Sequence, residues 1–173
     1  FSLLVHSSLL IDKKKRKTTN YELRTMNLVI VGKRGWLADE IYQAPKKFRV
    51  GESVKFLDYV ADSDLPPLYS GCLACVLPSL VEGFGLPVLE AMACGAPVIL
   101  SKTSSLPEIG EDIAIYVDPN SVKNITLGLE RILRFSRDDY ETVRKKSEEQ
   151  AKKFSWEKCA KETLKVLEKV CES

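Results

Sequence analysis

Pro78-Ser79-Leu80-Val81-Glu82-Gly83-Phe84-Gly85-Leu86-Pro87-Val88-Leu89-Glu90 is the stretch from which the fold is read. Ahead of it, the apolar run Cys72 to Leu77 has the composition of a buried strand, and Pro78 stops it. Behind it, Pro87 stands where a first helical turn tolerates proline, and Val88 to Cys94 continues as helix until Gly95. The element is therefore strand, glycine loop, helix N-terminus. Free backbone N–H groups and the positive end of a helix dipole converge there, an arrangement suited to a phosphate or pyrophosphate. Gly83 and Gly85 permit positive φ and let a ligand approach the backbone.

Two carboxylates bracket the loop, Glu82 within it and Glu90 about one turn inside the helix. A carboxylate repels a bound diphosphate, so both are better placed to accept hydrogen bonds from sugar or ribose hydroxyls nearby. An ordinary strand–helix turn with solvated acids has the same spacing, and a short glycine motif does not exclude it.

Glu82 through Glu90 resembles the E-x7-E signature of retaining nucleotide-sugar glycosyltransferases of the GT-B fold, in the large family 4 (group 1). The stretch Ala91 to Ile99, then Ser104-Ser105-Leu106-Pro107-Glu108 and Tyr116-Val117-Asp118-Pro119, resembles the same family. The likeness runs from about Asn27 to the C-terminus.

The chain has 173 residues, room for one domain with a sizeable core. Its 45% hydrophobic and 29% charged content is that of a globular protein, a formal charge of +2 is too small to argue for nucleic acid, and no nucleic-acid partner is expected. No apolar run approaches the ~20 residues that cross a bilayer. No signal peptide is recognisable, and the start at Phe1 reads as that of a fragment. Five cysteines show no disulfide framework, which fits a reducing compartment. Cys72 and Cys75 are C-x-x-C, but on a strand their separation points them to opposite faces; the expectation is small buried residues and no metal.

Six apolar strand candidates alternate with helical patterns: Ser2–Val5, Leu28–Val31, Val54–Leu57, Cys72–Leu77, Pro97–Leu100 and Ile113–Val117. That alternation predicts an α/β fold with a doubly wound parallel sheet, Rossmann-like. Asp62 or Ser63 can cap a helix reaching Tyr69, with Pro66 and Pro67 in its first turn. The remainder is helical, with Ser121 and Ser155 as caps and Trp156, Ala160, Leu164 and Leu167 on one face of the last helix.

After the first strand come five consecutive basic residues, Lys13 to Lys17, at the sheet edge where ligands bind in such folds. A charge run is also commonly a solvated loop. In the resembling family an Arg and a Lys here hold the donor diphosphate, which makes Arg16 and Lys17 the closest match, with Lys13 to Lys15 as competitors. The segment departs from the family pattern: His6 replaces the expected glycine, the basic pair comes late, and little room is left for a helix before Leu28. The only histidine, His6, makes no triad or metal site. Gly32-Lys33-Arg34-Gly35-Trp36 resembles the family's second loop, and Asp58-Tyr59-Val60 stands where the family shows Gly-Tyr-Val beside the nucleotide base.

The resemblance implies that residues 1–173 are the C-terminal, donor-binding half of a GT-B enzyme. An N-terminal acceptor domain of the same enzyme, absent from this chain, would face it. The implied partners are a nucleotide sugar and a glycan or lipid-linked acceptor. Under this reading Glu90 binds ribose, and Glu82 with the N–H groups of Gly83, Phe84 and Gly85 orients the hexose. The N–H of Leu86 meets the diphosphate, Gly32 and Val60 line the base, and Arg16 and Lys17 neutralise the leaving group. No metal is required if Arg16, Lys17 and the helix end carry that job, and no Asp-x-Asp pair is expected near the site. The second loop has a flavour of mannosyltransferases of polysaccharide assembly, so GDP-mannose is the first expectation for the donor and a UDP-hexose the second. A cytoplasmic enzyme, peripheral at the inner membrane face if its acceptor is lipid-linked, follows from the same likeness.

Two other readings share the donor site: a non-catalytic nucleotide-sugar-binding module and a GT-B sugar-nucleotide epimerase. The unbroken Glu82-to-Glu90 motif favours transfer over epimerisation. A glycosidase reading fits less well, because acids flanking a phosphate-type loop are poorly placed for acid–base attack on a glycoside.

Overall fold

The computed structural model describes residues 2–7, 26–35 and 38–171. Six strands, β1 (Ser2–Ser7), β2 (Met26–Val31), β3 (Val54–Leu57), β4 (Ala74–Leu77), β5 (Val98–Ser101) and β6 (Ile115–Val117), form one sheet in the order β3-β2-β1-β4-β5-β6. This is the order of a doubly wound fold, with its switch point between β1 and β4.

The β2–β3, β4–β5 and β5–β6 pairs are parallel, but β1 runs antiparallel to both its neighbours. A wholly parallel sheet was the expectation, and β1 is the exception. Parallel neighbours need a crossover of a dozen or more residues, usually helical, whereas an antiparallel pair needs none. The sequence between β1 and β2 carries its basic run and no sustained helical apolar stripe. Because Ser2 pairs with Val31 and Ser7 with Met26, β1 ends at the edge opposite the C-terminal ends of the other strands. The expected exit of the chain from β1 on the ligand side is therefore not what is found.

The helices are α1 (Asp39–Lys47), α2 (Leu65–Gly71), α3 (Leu86–Ala93), α4 (Leu106–Gly110), α5 (Val122–Leu133), α6 (Arg137–Ala151) and α7 (Trp156–Cys171). Strand side chains alternate between two cores. Cys75, Leu77, Val98 and Leu100 pack with Val88, Ala91 and Met92 of α3 and Leu106 and Ile109 of α4. Ala74, Val76 and Ile99 pack on the other face with Ile132 of α5. Cys72 and Cys75 lie in the same core, not on opposite faces. The reason is that Cys72 ends α2 and precedes the strand, so strand alternation does not reach it. Burial pushes the Cys72 thiol up to about 12, which keeps it protonated and unreactive.

Asp64, not Asp62 or Ser63, occupies the N-cap of α2, and it makes no side-chain cap bond there. The other expected caps form: the Ser121 hydroxyl accepts from the Asn124 N–H at 3.2 Å and the Ser155 hydroxyl from the Lys158 N–H at 3.1 Å. Helix α6 starts with a capping box between Ser136 and Asp139. Hydrogen bonds from the Ser136 side chain and then its backbone hold the Asp139 carboxyl below its ordinary value. A depressed carboxylate contributes stability above its unfolded pKa and loses it as pH falls through the lower folded one. Asp139→Asn should therefore lower stability at neutral pH and flatten the acid limb below about pH 4, so that the two proteins converge as the solution becomes more acidic. Chemical unfolding of both proteins across that range checks this; parallel acid limbs would count against the box.

Candidate functional site

β1 is antiparallel to both β2 and β4, so those two run the same way. The loops after β2, β3, β4, β5 and β6 consequently emerge at one edge. The glycine loop occupies that edge between β4 and α3, next to the switch point.

Gly85 is the N-cap of α3, with φ 104° and ψ 42°. A Cβ there would sit 2.9 Å from Leu106 Cδ2 and 3.2 Å from Ile109 Cδ1, both in the buried core. Gly85 thus serves as a left-handed corner and as a close approach of backbone to α4. Gly83 does not use its conformational freedom: it lacks a positive φ, and nothing lies within 4 Å of its would-be Cβ. Its face is open. Leu86 begins the helix with Pro87 behind it, and the Leu86 and Phe84 side chains are half exposed. Phe84 meets Phe154 edge-on, ring centroids 6.1 Å apart, tying the loop to the segment that leads into α7.

The loop is held by hydroxyls from the chain after β5. Ser101 donates to the Ser79 carbonyl, and Thr103 donates to the same oxygen at 2.9 Å. The Ser104 hydroxyl accepts from the Glu82 N–H at 3.3 Å, with Ser104 itself at φ 51°. Ser105 donates to the Phe84 carbonyl at 2.7 Å and approaches the Glu82 carbonyl at 3.4 Å. The Glu82 carboxylate accepts from Ser79 Oγ at 3.3 Å. These residues were missed as site residues in the sequence; a run of four hydroxyl side chains among five residues, Ser101 to Ser105, was the available signal.

Glu90, exposed on α3, accepts from the hydroxyl of buried Tyr69 at 3.2 Å. Burial, followed by the neighbouring Cys75 and Glu90, raises the Tyr69 phenol far above its ordinary range.

Gly32 and Val60 lie along the same edge. Gly32, at φ 139°, donates its N–H to the Leu57 carbonyl at 3.1 Å, joining the ends of β2 and β3. Beside it, Lys33 Nζ lies 5.9 Å from the centroid of the exposed Tyr59 ring, and Tyr42 donates to Asp58 at 3.3 Å. Val60 is partly buried after β3. In strand order this pair of loops is separated from the glycine loop by β1. Arg16, Lys17 and Trp36 lie outside the described residues. An Asp-x-Asp does occur at Asp62-Ser63-Asp64, in the turn after β3. Among the described residues no group of three or more His, Cys, Asp or Glu is arranged to hold a metal ion. Among them, too, no helix is long and apolar enough to cross a membrane.

An open glycine corner at a helix N-terminus, flanked by two acids at a switch point, can bind a phosphorylated sugar or nucleotide. Comparison with known proteins agrees in kind. The family model described as "Glycosyl transferases group 1" matches residues 8–169. The O-antigen chain mannosyltransferase B of Escherichia coli is 42% identical over 139 residues, covering 79% of this chain and 36% of that protein. The O-antigen chain mannosyltransferase RfbU of Salmonella typhimurium is 35% identical over 139 residues, covering 76% of this chain and 37% of that protein. The chain thus spans little more than a third of these relatives. Among solved structures, sucrose-phosphate synthase from Thermosynechococcus elongatus superposes with a TM-score of 0.74 at 28% identity, covering 83% of this chain and 38% of that one. Anabaena HepE, solved with UDP and glucose, superposes with a TM-score of 0.71 over 82% of this chain and 40% of its own; at 21% identity that likeness concerns the fold. With the family model spanning nearly all of the sequence, the chain belongs to the glycosyl transferases group 1 family.

Proposed function

We propose that this chain is the donor-binding half of a retaining glycosyltransferase that moves a hexose, mannose first among the candidates, from a nucleotide diphosphate to a glycan or lipid-linked acceptor. The observation that carries this reading is the glycine corner at the start of α3, open at Gly83 and flanked by Glu82 and Glu90. The E. coli and Salmonella relatives support mannose, and the UDP and glucose in HepE support a nucleotide-sugar donor more generally.

In this reading the N–H of Leu86 meets the diphosphate where the helix dipole is positive; Pro87 has no N–H, and that of Val88 donates to the Gly85 carbonyl at 2.9 Å. Glu90 accepts hydrogen bonds from the ribose, and Glu82 with the N–H groups of Gly83, Phe84 and Gly85 fixes the hexose. Gly32 and Val60 border the base. Arg16 and Lys17, the cations expected at the leaving group, follow a strand that ends at the opposite edge, so in this reading the charge that builds as the glycosidic C–O bond breaks is met at the start of α3. The departing phosphate oxygen takes the proton of the acceptor hydroxyl, which attacks on the same face, so configuration is retained. The dominant contribution is electrostatic, because the leaving group gains charge in the transition state. The acceptor and the rest of the catalytic contacts belong to an N-terminal domain facing this edge.

Calorimetric titration of the full-length protein with GDP, UDP, GDP-mannose and UDP-glucose tests the donor site. One nucleotide series should bind saturably, and Glu90→Ala should weaken it by about tenfold, the worth of a hydrogen bond to a charged group. Unchanged affinity in the variant would remove Glu90 from the site, and no binding of any of the four would remove the reading.

A further inference from the structure

We propose that Tyr69 is a positioning residue for the nucleotide: its buried hydroxyl fixes the Glu90 carboxylate in the orientation that receives the ribose diol. This inference rests on the donor-site reading of Glu90 given above.

Glu90 is exposed on the second turn of α3, and an exposed glutamate ordinarily samples several rotamers. Here it is tethered. Tyr69, on the neighbouring helix α2, is only 3% exposed and has its ring in the core with Cys72, Cys75 and Met92. Its hydroxyl reaches out of that core to Glu90 Oε2 at 3.2 Å. A buried phenol needs a hydrogen-bond partner, and this one takes a surface carboxylate instead of a backbone carbonyl. The bond engages Oε2 and leaves Oε1 without a partner among the described residues. An ionised carboxylate has about four acceptor sites, so the remaining ones can accept both O–H donors of a ribose. Burial first, and the carboxylate of Glu90 beside it, hold the proton on Tyr69, so its hydroxyl is the donor of this bond.

A tyrosine that only fills the core and one that aims Glu90 differ in what they predict. Phenylalanine preserves the ring and removes the anchor. Calorimetric titration of the full-length protein with GDP and 2′,3′-dideoxy-GDP, and with UDP and its dideoxy analogue, reads the ribose contribution separately from base and phosphate. Wild-type protein should prefer the ribonucleotide by about tenfold, and Tyr69→Phe should lose most of that preference while binding the dideoxy form within about twofold of wild type. In a Glu90→Ala background the same substitution should cost no further affinity, because its effect passes through Glu90. Thermal melts confirm that each variant is folded. A preference retained in Tyr69→Phe, or an equal loss for both nucleotides, overturns the positioning role and leaves the donor site standing. Wild-type protein that binds both forms equally overturns the assignment of Glu90 to ribose, and this inference with it.

Discussion

Glu82→Ala should lower kcat/KM of the full-length enzyme by about a hundredfold while changing nucleotide affinity by less than about threefold. The separation follows from how Glu82 is held. Its backbone is fixed by Ser104 and Ser105 through the N–H and the carbonyl, and neither bond involves the carboxylate. The neighbouring Ser79 carbonyl is fixed by Ser101 and Thr103 in the same manner. Removing the side chain therefore leaves those backbone bonds in place and deletes the charge proposed to face the sugar, together with the bond it accepts from Ser79. A hydrogen bond to a charged group contributes about 1.5–3 kcal/mol, which corresponds to about 10- to 150-fold in rate if it is made in the transition state. Steady-state kinetics beside calorimetry with the nucleotide alone separates the two quantities. Wild-type turnover in the variant would take Glu82 off the sugar; an equal loss of nucleotide affinity would place it on the nucleotide.

Gly85→Val should destabilise the fold by about 3 kcal/mol or more and abolish nucleotide binding together with it. The position is doubly restricted. Its φ of 104° is one that β-branched residues avoid. Independently, the new Cβ would press on Leu106 and Ile109, both fully buried, so neither can swing aside into solvent. Relief requires the start of α3 to move away from α4, which breaks the corner that presents the N–H groups. Urea unfolding should show a lower midpoint at similar m value, since the surface exposed on unfolding hardly changes. Gly83→Ala is the control: its Cβ meets nothing within 4 Å, so stability should stay within about 0.5 kcal/mol.

Much of the architecture is legible where the signal is local. Val98, Ile99 and Leu100 form a continuous apolar run because both faces of β5 are buried, and the run marks the strand without revealing the alternation. The corner at Gly85 is legible because a left-handed residue and a proline two positions on leave few alternatives to a helix start. What was misread has a common cause. The apolar run from Cys72 passes through a helix end before the strand begins, and hydrophobicity alone does not mark that join. The direction of β1 is a property of pairing, so no pattern within its six residues encodes it. The support of the site is tertiary: Tyr69 meets Glu90 from 21 residues away, and Ser104 meets Glu82 from 22. The acids that bracket the loop were visible in the chain, whereas the residues that aim them became visible only once it was folded.

The hydroxyls between Ser101 and Ser105 have a thermodynamic consequence for whatever binds at the corner. They grip Ser79, Glu82 and Phe84 through backbone atoms, by hydrogen bonds made entirely within the chain, so the order of the loop comes from the fold itself. Immobilising a flexible loop on binding would subtract from affinity; here that entropic cost is already met, and more of the interaction energy remains for recognition.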